Sequence, residues 1–259
     1  MNIVVCVKQV PDTWAERKLK PGDATLDRES VDGLINELDE YAVEEALQIK
    51  EAHGGEVTVL TMGPEKASES VRKALSMGAD KAVHLIDDAL AGSDVLQTSY
   101  ALAQVLGSIG FDLVVLGAES TDARMGAMAA MLAERLGVPQ LSLASKVEID
   151  GSSITIYRQS EDGYWKVAAD LPAVVSVVEK INEPRYPSFK GIMAAKKKPM
   201  QVMSVADAGI DPSLVGLANA ATEVVDFAER PPRQAGTIVK DEGDGGNKAA
   251  EFLAAGKFI

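Results

Sequence analysis

Cysteine and histidine are scarce in this chain, and their scarcity excludes several kinds of site. The 259 residues include one cysteine and two histidines. One thiol cannot form an internal disulfide, this set is too small for a zinc ribbon, and neither histidine has a metal-ligand companion at useful spacing. Cys6 lies inside a predicted strand, where a small buried side chain is expected rather than a reactive thiolate. His53 and His84 have ordinary structural explanations, at a helix end and within an apolar strand, so a histidine-based catalytic triad is not expected.

Basic residues and long apolar runs are also in short supply. Lys and Arg total 26 against 39 Asp and Glu, which gives a formal net charge of −13. Such a charge repels a phosphate backbone, so binding to nucleic acid or to an anionic membrane is not expected. No apolar run approaches the ~20 residues of a membrane span, and the apolar start lacks the basic segment of a signal peptide. The sequence therefore predicts a cytoplasmic protein without membrane insertion.

The first half of the chain is rich in alternating strand-like and helix-like segments. Apolar, β-branched runs predict strands at residues 3–10, 57–62, 81–86 and 113–116. Helical spacing of apolar residues predicts helices that begin near residues 36, 64, 94 and 126, the first with Asn36 as its N-cap. Strands that alternate with helices of this length form parallel βαβ units. The sequence thus predicts an α/β fold: a doubly wound, mostly parallel sheet with helices on both faces.

The pattern changes in the second half. Short strand-like segments are joined by Asp150-Gly151 and Asp162-Gly163, which are strong hairpin signals, so an antiparallel hairpin is predicted at one edge of the sheet. Beyond residue 200 the apolar residues are too sparse for a separate core, although a short strand and a helix near Ala249 are predicted. We therefore divide the chain into an α/β domain, residues 1–200, and an extended C-terminal arm, residues 201–259.

The loop from Gly117 to Gly126 is the first candidate for a ligand site. It lies between a buried strand and a helix start, where the carboxyl ends of parallel strands form a ligand crevice and free N–H groups suit a phosphate. The same small polar residues would also simply cap the helix, and the loop matches neither GxGxxG nor a Walker loop. Both interpretations stay open at this point. Asp122 suits capping, or a sugar or base contact, better than a position beside a phosphate.

The segment Lys180–Lys198 is the second candidate. It gathers basic residues in an acidic protein, and its prolines bracket Tyr186 and Phe189, so these two aromatic side chains are expected to project from a constrained loop. An exposed aromatic side chain among charges is typical of a protein-docking anchor. A solvated basic face is the alternative.

This segment also carries a resemblance to a known family. The run Asn182-Glu183-Pro184-Arg185-Tyr186-Pro187, which continues through Ile192-Met193 to Lys196-Lys197-Lys198, closely resembles the beta subunit of electron transfer flavoprotein. The resemblance covers essentially the whole chain. Its other matching segments are Val7-Lys8, Asn36 with 42–46, Gly63-Pro64, 74–80, the loop that starts at Gly117, and 171–175.

The resemblance implies an electron-carrier subunit without catalytic residues of its own. Such a beta subunit forms a heterodimer with an alpha subunit that holds most of the redox-active FAD. The dimer takes electrons from acyl-CoA dehydrogenases, as in fatty acid beta-oxidation, and passes them to a membrane quinone oxidoreductase. The C-terminal arm is expected to pack on the alpha subunit.

The resemblance also implies site residues, because the beta chain of this family buries an AMP. By position, the nucleotide contacts would be Cys6, Asn36, Glu37, Leu38, Asp39, Met62, Gly117, Ala118, Glu119, Ser120, Thr121, Asp122, Ala123, Arg124, Met125, Gly126 and Ala127. Docking of partner proteins would fall to Arg185, Tyr186, Phe189, Ile192 and Met193, with Phe189 as the apolar anchor.

Two positions depart from the family pattern. The loop that starts at Gly117 is shorter than the form with several aspartates and a Gln-Thr pair, which favours backbone N–H groups of Gly126 and Ala127 as phosphate ligands. Trp165 stands where the family usually has Glu or Gln, a carboxylate or amide expected to help position the flavin domain of the alpha subunit.

Three alternatives are weighed against this interpretation. An electron-bifurcating beta subunit would hold a second FAD instead of AMP, but the loop lacks an Asp-Gly-Asp-Thr run. A stand-alone nucleotide-binding stress-response module has no need of the arm or of residues 184–198. An ATP-pyrophosphate-forming ligase would carry a Ser-Gly-Gly-x-Asp-Ser loop where this chain has Pro11-Asp12-Thr13-Trp14.

Overall fold

The structure is a computed structural model that describes residues 1–229, 231–232, 235–236 and 238–259. These residues form two compact units, Met1–Glu223 and Val224–Ile259. The strands are β1 (Asn2–Cys6), β2 (Gln9–Pro11), β3 (Gly33–Ile35), β4 (Glu56–Met62), β5 (Lys81–Leu85), β6 (Leu113–Gly117), β7 (Gln140–Asp150), β8 (Ser153–Ser160), β9 (Gly163–Asp170), β10 (Ala173–Val177) and β11 (Met200–Met203). The helices are α1 (Glu37–His53), α2 (Ser68–Met77), α3 (Val95–Ile109), α4 (Met128–Leu136), α5 (Phe189–Ala195) and α6 (Gly245–Ala255).

The first unit is built on a nine-stranded sheet in the order β11-β5-β4-β1-β6-β10-β7-β8-β9. All neighbouring pairs are parallel except β7 with β8 and β8 with β9, which form the predicted antiparallel edge. β2 and β3 form a separate antiparallel pair. The predicted α/β class and mostly parallel sheet are therefore confirmed.

The core lies in two layers, one on each face of the sheet. In β1 successive side chains alternate between them, so that Ile3 and Val5 join one layer and Val4 joins the other. Helices α1 and α2 bury their apolar stripes in the first layer, and α3 and α4 bury theirs in the second. Helices on both faces follow from this alternation, because each apolar face of a parallel sheet must be covered.

The strand order reverses between β1 and β6. From β1 the chain crosses to β4 and then β5 on one side, whereas β6 and β10 lie on the other side. In open α/β sheets the crevice outside the carboxyl ends of two such strands is the usual ligand position. The fold thus places the loop after Gly117 beside the end of β1.

Several elements differ from the prediction. β1 ends at Cys6 rather than near Val10, because the Lys8 N–H donates to the side chain of Asp39 instead of to a strand. β7 is longer than the short strand predicted before the Asp150-Gly151 turn, because it begins at Gln140. α5 forms where a constrained loop was expected, and the Ser188 hydroxyl caps it by accepting from the Gly191 N–H at 3.0 Å.

Residues 200–215 pack on the sheet domain. β11 pairs in parallel with β5 at one edge of the sheet. Apolar side chains beyond it are buried in the same layer as α3 and α4, namely Met203, Val205, Ala208, Ile210 and Val215. The first compact unit accordingly extends to Glu223, whereas the sequence placed the boundary at residue 200. The terminal helix predicted near Ala249 is present as α6.

Candidate functional site

Asp39 ties together the two strand ends that form the crevice. It lies in the first turn of α1, and its carboxylate accepts from the Lys8 N–H at 2.8 Å and from the Gly117 N–H at 3.2 Å. Gly117 has to be a glycine at this crossing, because a Cβ atom there would lie 2.6 Å from Asp39 Oδ1 and 2.8 Å from the Leu38 carbonyl carbon. Helix α1 therefore begins directly against the end of β6.

The side chain of Asn36 hydrogen-bonds to the loop after β6 rather than to the N-terminus of its own helix. It occupies the N-cap position of α1, as predicted, but it makes no side-chain capping bond. Its side-chain amide instead donates to the Glu119 carbonyl at 2.9 Å, and its Oδ1 accepts from the Thr121 N–H at 3.0 Å. The buried side chain thus fixes the loop after β6 on the start of α1.

A cluster of three charged side chains lies beside this contact. Lys8 Nζ lies 2.8 Å from Asp122 Oδ1 and donates to the Ser120 hydroxyl at 3.2 Å. Arg28, from the irregular loop between β2 and β3, places a guanidinium nitrogen 2.7 Å from Asp122 Oδ2. The Asp122 side chain is only 1% exposed, whereas those of Lys8 and Arg28 are about two-fifths exposed. We call Lys8, Arg28 and Asp122 the charge triad.

Burial and neighbouring groups shift the pKa values of the carboxyl and thiol groups of the crevice in different directions. Burial alone would raise the pKa of Asp122, but the cations Lys8 and Arg28 and the nearby hydroxyl lower it to about 2. At Asp39 burial dominates its backbone hydrogen bonds and raises the pKa to about 7. Burial, with a smaller contribution from Asp39, raises the pKa of Cys6 to about 12. Cys6 is therefore a neutral buried side chain, as the sequence predicted.

The far end of the loop leads into α4. Arg124 and Gly126 both adopt positive φ, and Ala127 at the N-cap makes no side-chain capping bond. The first N–H groups of a helix have no partner within the helix, so this end of α4 can donate to an anion. Ala123, Arg124, Met125 and Gly126 are exposed.

The structure brings together most, though not all, of the predicted nucleotide residues. Asn36, Asp39, Gly117 and the loop 119–122 are joined by the bonds described above. Cys6 lies at the end of β1 and Met62 at the end of the neighbouring β4, where it packs on the second core layer. Glu37 is exposed.

Sequence reasoning missed Lys8 and Arg28 as members of this site. Lys8 could have been found, because it comes just after the strand that borders the topological switch point. Arg28 lies in a loop without periodicity and carried no such signal.

The second candidate, the segment Lys180–Lys198, presents an exposed apolar surface. Tyr186 and Phe189 are 93% and 82% exposed, as the bracketing prolines predicted, and Ile192 and Met193 are about half exposed. Arg185 does not project with them, because its guanidinium binds Glu44 and Glu51 of α1.

The lysines of this segment are not all solvated. Lys198 Nζ donates to the carbonyl oxygens of Leu75 and Ala79 at the end of α2. Lys190, Lys196 and Lys197 are exposed.

Trp165 lies on the edge strand β9, opposite Arg158 of β8, and is 66% exposed. It is not part of the crevice.

Three further observations limit the kinds of site present. Within the described residues, no group of three or more His, Cys, Asp or Glu side chains is arranged to hold a metal ion. His84 has a structural partner, with its Nε2 2.9 Å from the Gly63 carbonyl oxygen. None of the described helices has the length and apolar character needed to cross a membrane.

Comparison with known proteins identifies the family. Residues 23–208 match the electron transfer flavoprotein domain. The electron transfer flavoprotein subunit beta of Mycobacterium tuberculosis is 56% identical over 264 residues, which cover 100% of this chain and 99% of that protein. The subunit beta of Megasphaera elsdenii is 35% identical over 271 residues and covers 100% of both chains. The caffeyl-CoA reductase-Etf complex subunit CarD of Acetobacterium woodii is 37% identical over 241 residues, 92% of this chain. The chain belongs to the electron transfer flavoprotein family, as one of its beta subunits.

Proposed function

We propose that this chain binds AMP in its crevice, supports the FAD of an alpha subunit, and docks the proteins that exchange electrons with that flavin. The donors would be acyl-CoA dehydrogenases, and the acceptor would be a membrane quinone oxidoreductase. The observation that carries the proposal is the 56% identity to beta subunits over the full chain, together with a crevice at the switch point of the sheet.

The crevice residues suit an adenine nucleotide. The N-terminal end of α4 and Gly126 offer backbone N–H groups for a phosphate, and Lys8 and Arg28 supply positive charge at Asp122 of the same loop. Asn36, Asp39 and the loop 119–122 are joined by hydrogen bonds and form one wall of the crevice. AMP carries no redox chemistry, so these residues bind and orient the nucleotide and contribute no catalytic step.

Electron transfer itself belongs to the flavin, which supplies the redox chemistry when bound to the complex. The part played by this chain is to bring partners close for a short time. Electron-transfer contacts are small and transient, and a few exposed aromatic side chains carry much of the binding energy at such contacts. We assign this role to residues 185–193, which we call the docking segment.

The nucleotide content of the purified complex tests the proposal. This chain is purified with its co-expressed alpha chain and denatured, and the released nucleotides are identified and counted. One FAD and one AMP per pair are expected. Two FAD would contradict the AMP site and indicate a bifurcating subunit, and the absence of any nucleotide would contradict both.

Phe189→Ala tests the docking segment. Because the side chain is 82% exposed, its loss leaves the fold unchanged and removes the apolar anchor, so reduction of the complex by an acyl-CoA dehydrogenase should slow by about tenfold or more. The flavin spectrum and retention of the alpha chain should not change. Leu96→Ala, which shortens an exposed side chain on α3, is the matched control. Equal rates for both variants would remove the anchor role from Phe189.

A further inference from the structure

The side chain of Arg185 points back into the molecule from the base of the docking segment. Its Nε and one terminal nitrogen donate to the two carboxylate oxygens of Glu44 at 2.7 and 2.9 Å, and its backbone N–H donates to the same group at 3.2 Å. The terminal nitrogens also donate to Glu51 at 2.6 and 3.2 Å. One guanidinium therefore binds two carboxylates that lie seven residues apart on α1, two turns of the helix.

The positive charge of Arg185 is paired with carboxylates of the same chain by these contacts. The Glu44 side chain is 5% exposed, and burial would raise its pKa, but the hydrogen bonds from Arg185 hold the pKa below its usual value. The same carboxylates raise the pKa of Arg185. A planar bidentate pair of this kind fixes orientation as well as charge. An acidic group on a docking partner would have to displace two existing carboxylates to reach this guanidinium.

Other bonds hold the segment on either side of Arg185. Asn182 donates from its side-chain amide to the Tyr41 carbonyl and to Glu45, both at 3.1 Å, so the approach to the segment also lies on α1. At the other end, α5 packs on α2 so closely that a Cβ atom on Gly191 would lie 2.5 Å from the Ser76 carbonyl oxygen.

The residues between these attachments, Tyr186 to Phe189, carry the two most exposed of the large hydrophobic side chains in the segment. On the C-terminal side Ser188 caps α5, which begins at Phe189, and on the N-terminal side the nearest attachment is Arg185 itself.

We infer that Arg185 is a positioning residue, which fixes the base of the docking segment on α1 so that Tyr186 and Phe189 are presented in one orientation, and that it does not contact the partner protein. The inference rests on the proposed docking function. Its physical basis is preorganisation: a segment already held in its bound geometry loses less conformational freedom when a partner binds. Removing the hold should weaken docking without altering the electron-transfer step within the docked complex.

Glu51→Gln separates positioning from direct contact, because the two roles predict opposite effects. Glu51 is 59% exposed, so the substitution does not threaten the fold. If Arg185 positions the segment, the loss of one of its two carboxylate partners raises the KM of the acyl-CoA dehydrogenase for the complex and leaves kcat unchanged. If Arg185 binds the partner, the substitution frees the guanidinium, and KM stays the same or falls.

The expected changes follow from the exposure of each pair. Glu51→Gln should raise KM about twofold, because exposed ion pairs contribute little. Glu44→Gln and Arg185→Gln should raise KM about tenfold, because they break the buried bidentate pair. Arg185→Lys keeps the charge but loses the planar fork, so its KM should lie between that of the wild type and that of Arg185→Gln.

Amide hydrogen exchange gives a readout that does not depend on the partner. Peptides that cover residues 186–192 should exchange faster in Arg185→Gln and Glu51→Gln than in the wild-type complex. Glu69→Gln, the same change at an exposed position of α2, is the matched control and should alter neither exchange nor KM.

The outcomes are distinct from those that test the proposed function. An unchanged or lower KM for Glu51→Gln, or unchanged exchange in Arg185→Gln, overturns the positioning role while docking through Phe189 stands. An unchanged rate for Phe189→Ala overturns the docking segment itself. A raised KM with normal kcat and faster exchange in both variants supports the inference.

Discussion

At the scale of single residues, the crevice contains two aspartates, Asp39 and Asp122, whose pKa values are shifted in opposite directions. Asp39 accepts hydrogen bonds from the Lys8 and Gly117 N–H groups, but burial outweighs these contacts and raises the pKa of Asp39 to about 7. Asp122 lies between two cations and has a pKa of about 2, so it stays ionised. The difference between the two pKa values comes from Lys8 and Arg28, which both form ion pairs with Asp122.

Asp122→Asn tests the charge triad through its pH dependence. The folded-state pKa is depressed below the unfolded value, near 4, so Asp122 contributes stability above pH 4 and loses it as the pH falls toward 2. Because Lys8 and Arg28 are partly exposed and can be rehydrated, we expect the substitution to lower the free energy of unfolding by about 2 kcal/mol at pH 7.

Denaturant unfolding at pH 7 and at pH 3 measures this effect. The difference in the free energy of unfolding between wild type and Asp122→Asn should be full at pH 7 and clearly smaller at pH 3. Asp162→Asn, an exposed hairpin-turn position, serves as the control and should change stability by less than about 0.5 kcal/mol. A gap that is constant across this range would mean that the triad does not stabilise the fold through the Asp122 charge.

Residue-level prediction from sequence succeeded where a local pattern carries the information. The buried state of Cys6 follows from its position in an apolar strand, and the exposure of Tyr186 and Phe189 follows from the flanking prolines. Prediction failed where the contacts of a side chain depend on a residue that lies far away in the sequence. Asn36 was placed correctly at the start of α1, but its bonds go to a loop some 85 residues later. Arg185 gave no sequence signal that its partners are carboxylates on α1.

At the scale of elements, the sequence predicted those with clear periodicity and missed those without it. Strands β4, β5 and β6 and helices α1 and α3 lie within a residue or two of the predicted positions. α5 was missed because it has seven residues, includes a glycine, and follows two prolines, so no helical period could emerge. β11 was predicted as a strand of the arm, and its pairing with β5 depends on tertiary packing.

Gly117→Ala tests the contact between α1 and β6. An added methyl group would meet Asp39 Oδ1 and the backbone at Leu38, and backbone atoms cannot move aside cheaply. We expect a loss of about 1–3 kcal/mol in the free energy of unfolding, with less AMP retained, because the same shift displaces the wall of the crevice.

Gly107→Ala provides the contrast for this prediction. Gly107 is an exposed position of α3 with open space around its Cα atom, and alanine there should stabilise the helix by roughly 0.5–1 kcal/mol. Opposite signs for the two substitutions are therefore expected in the same denaturation assay. Equal stability of Gly117→Ala and wild type would show that α1 is free to move away from β6.

At the scale of the whole molecule, the two compact units differ in what they bury. The first unit contains both core layers. In the second, the α6 helix of 11 residues has no buried residue, and apolar side chains such as Val225, Phe252, Phe258 and Ile259 are 71–90% exposed. An isolated helix of this length is marginal in water, and we propose that these exposed apolar side chains form an interaction surface.

Truncation after Glu223 tests whether this second unit serves the partner chain. The first unit keeps its core, so the truncated chain should retain its far-UV circular dichroism and unfold at a similar denaturant concentration. It should lose most of its co-purifying alpha chain, because the exposed apolar side chains of 224–259 are then absent. In the intact complex, the same residues should be protected from limited proteolysis, whereas in the beta chain alone they should be cleaved first. Equal cleavage of residues 224–259 in the two samples, together with normal retention of the alpha chain by the truncated protein, would assign the binding surface to the first unit instead.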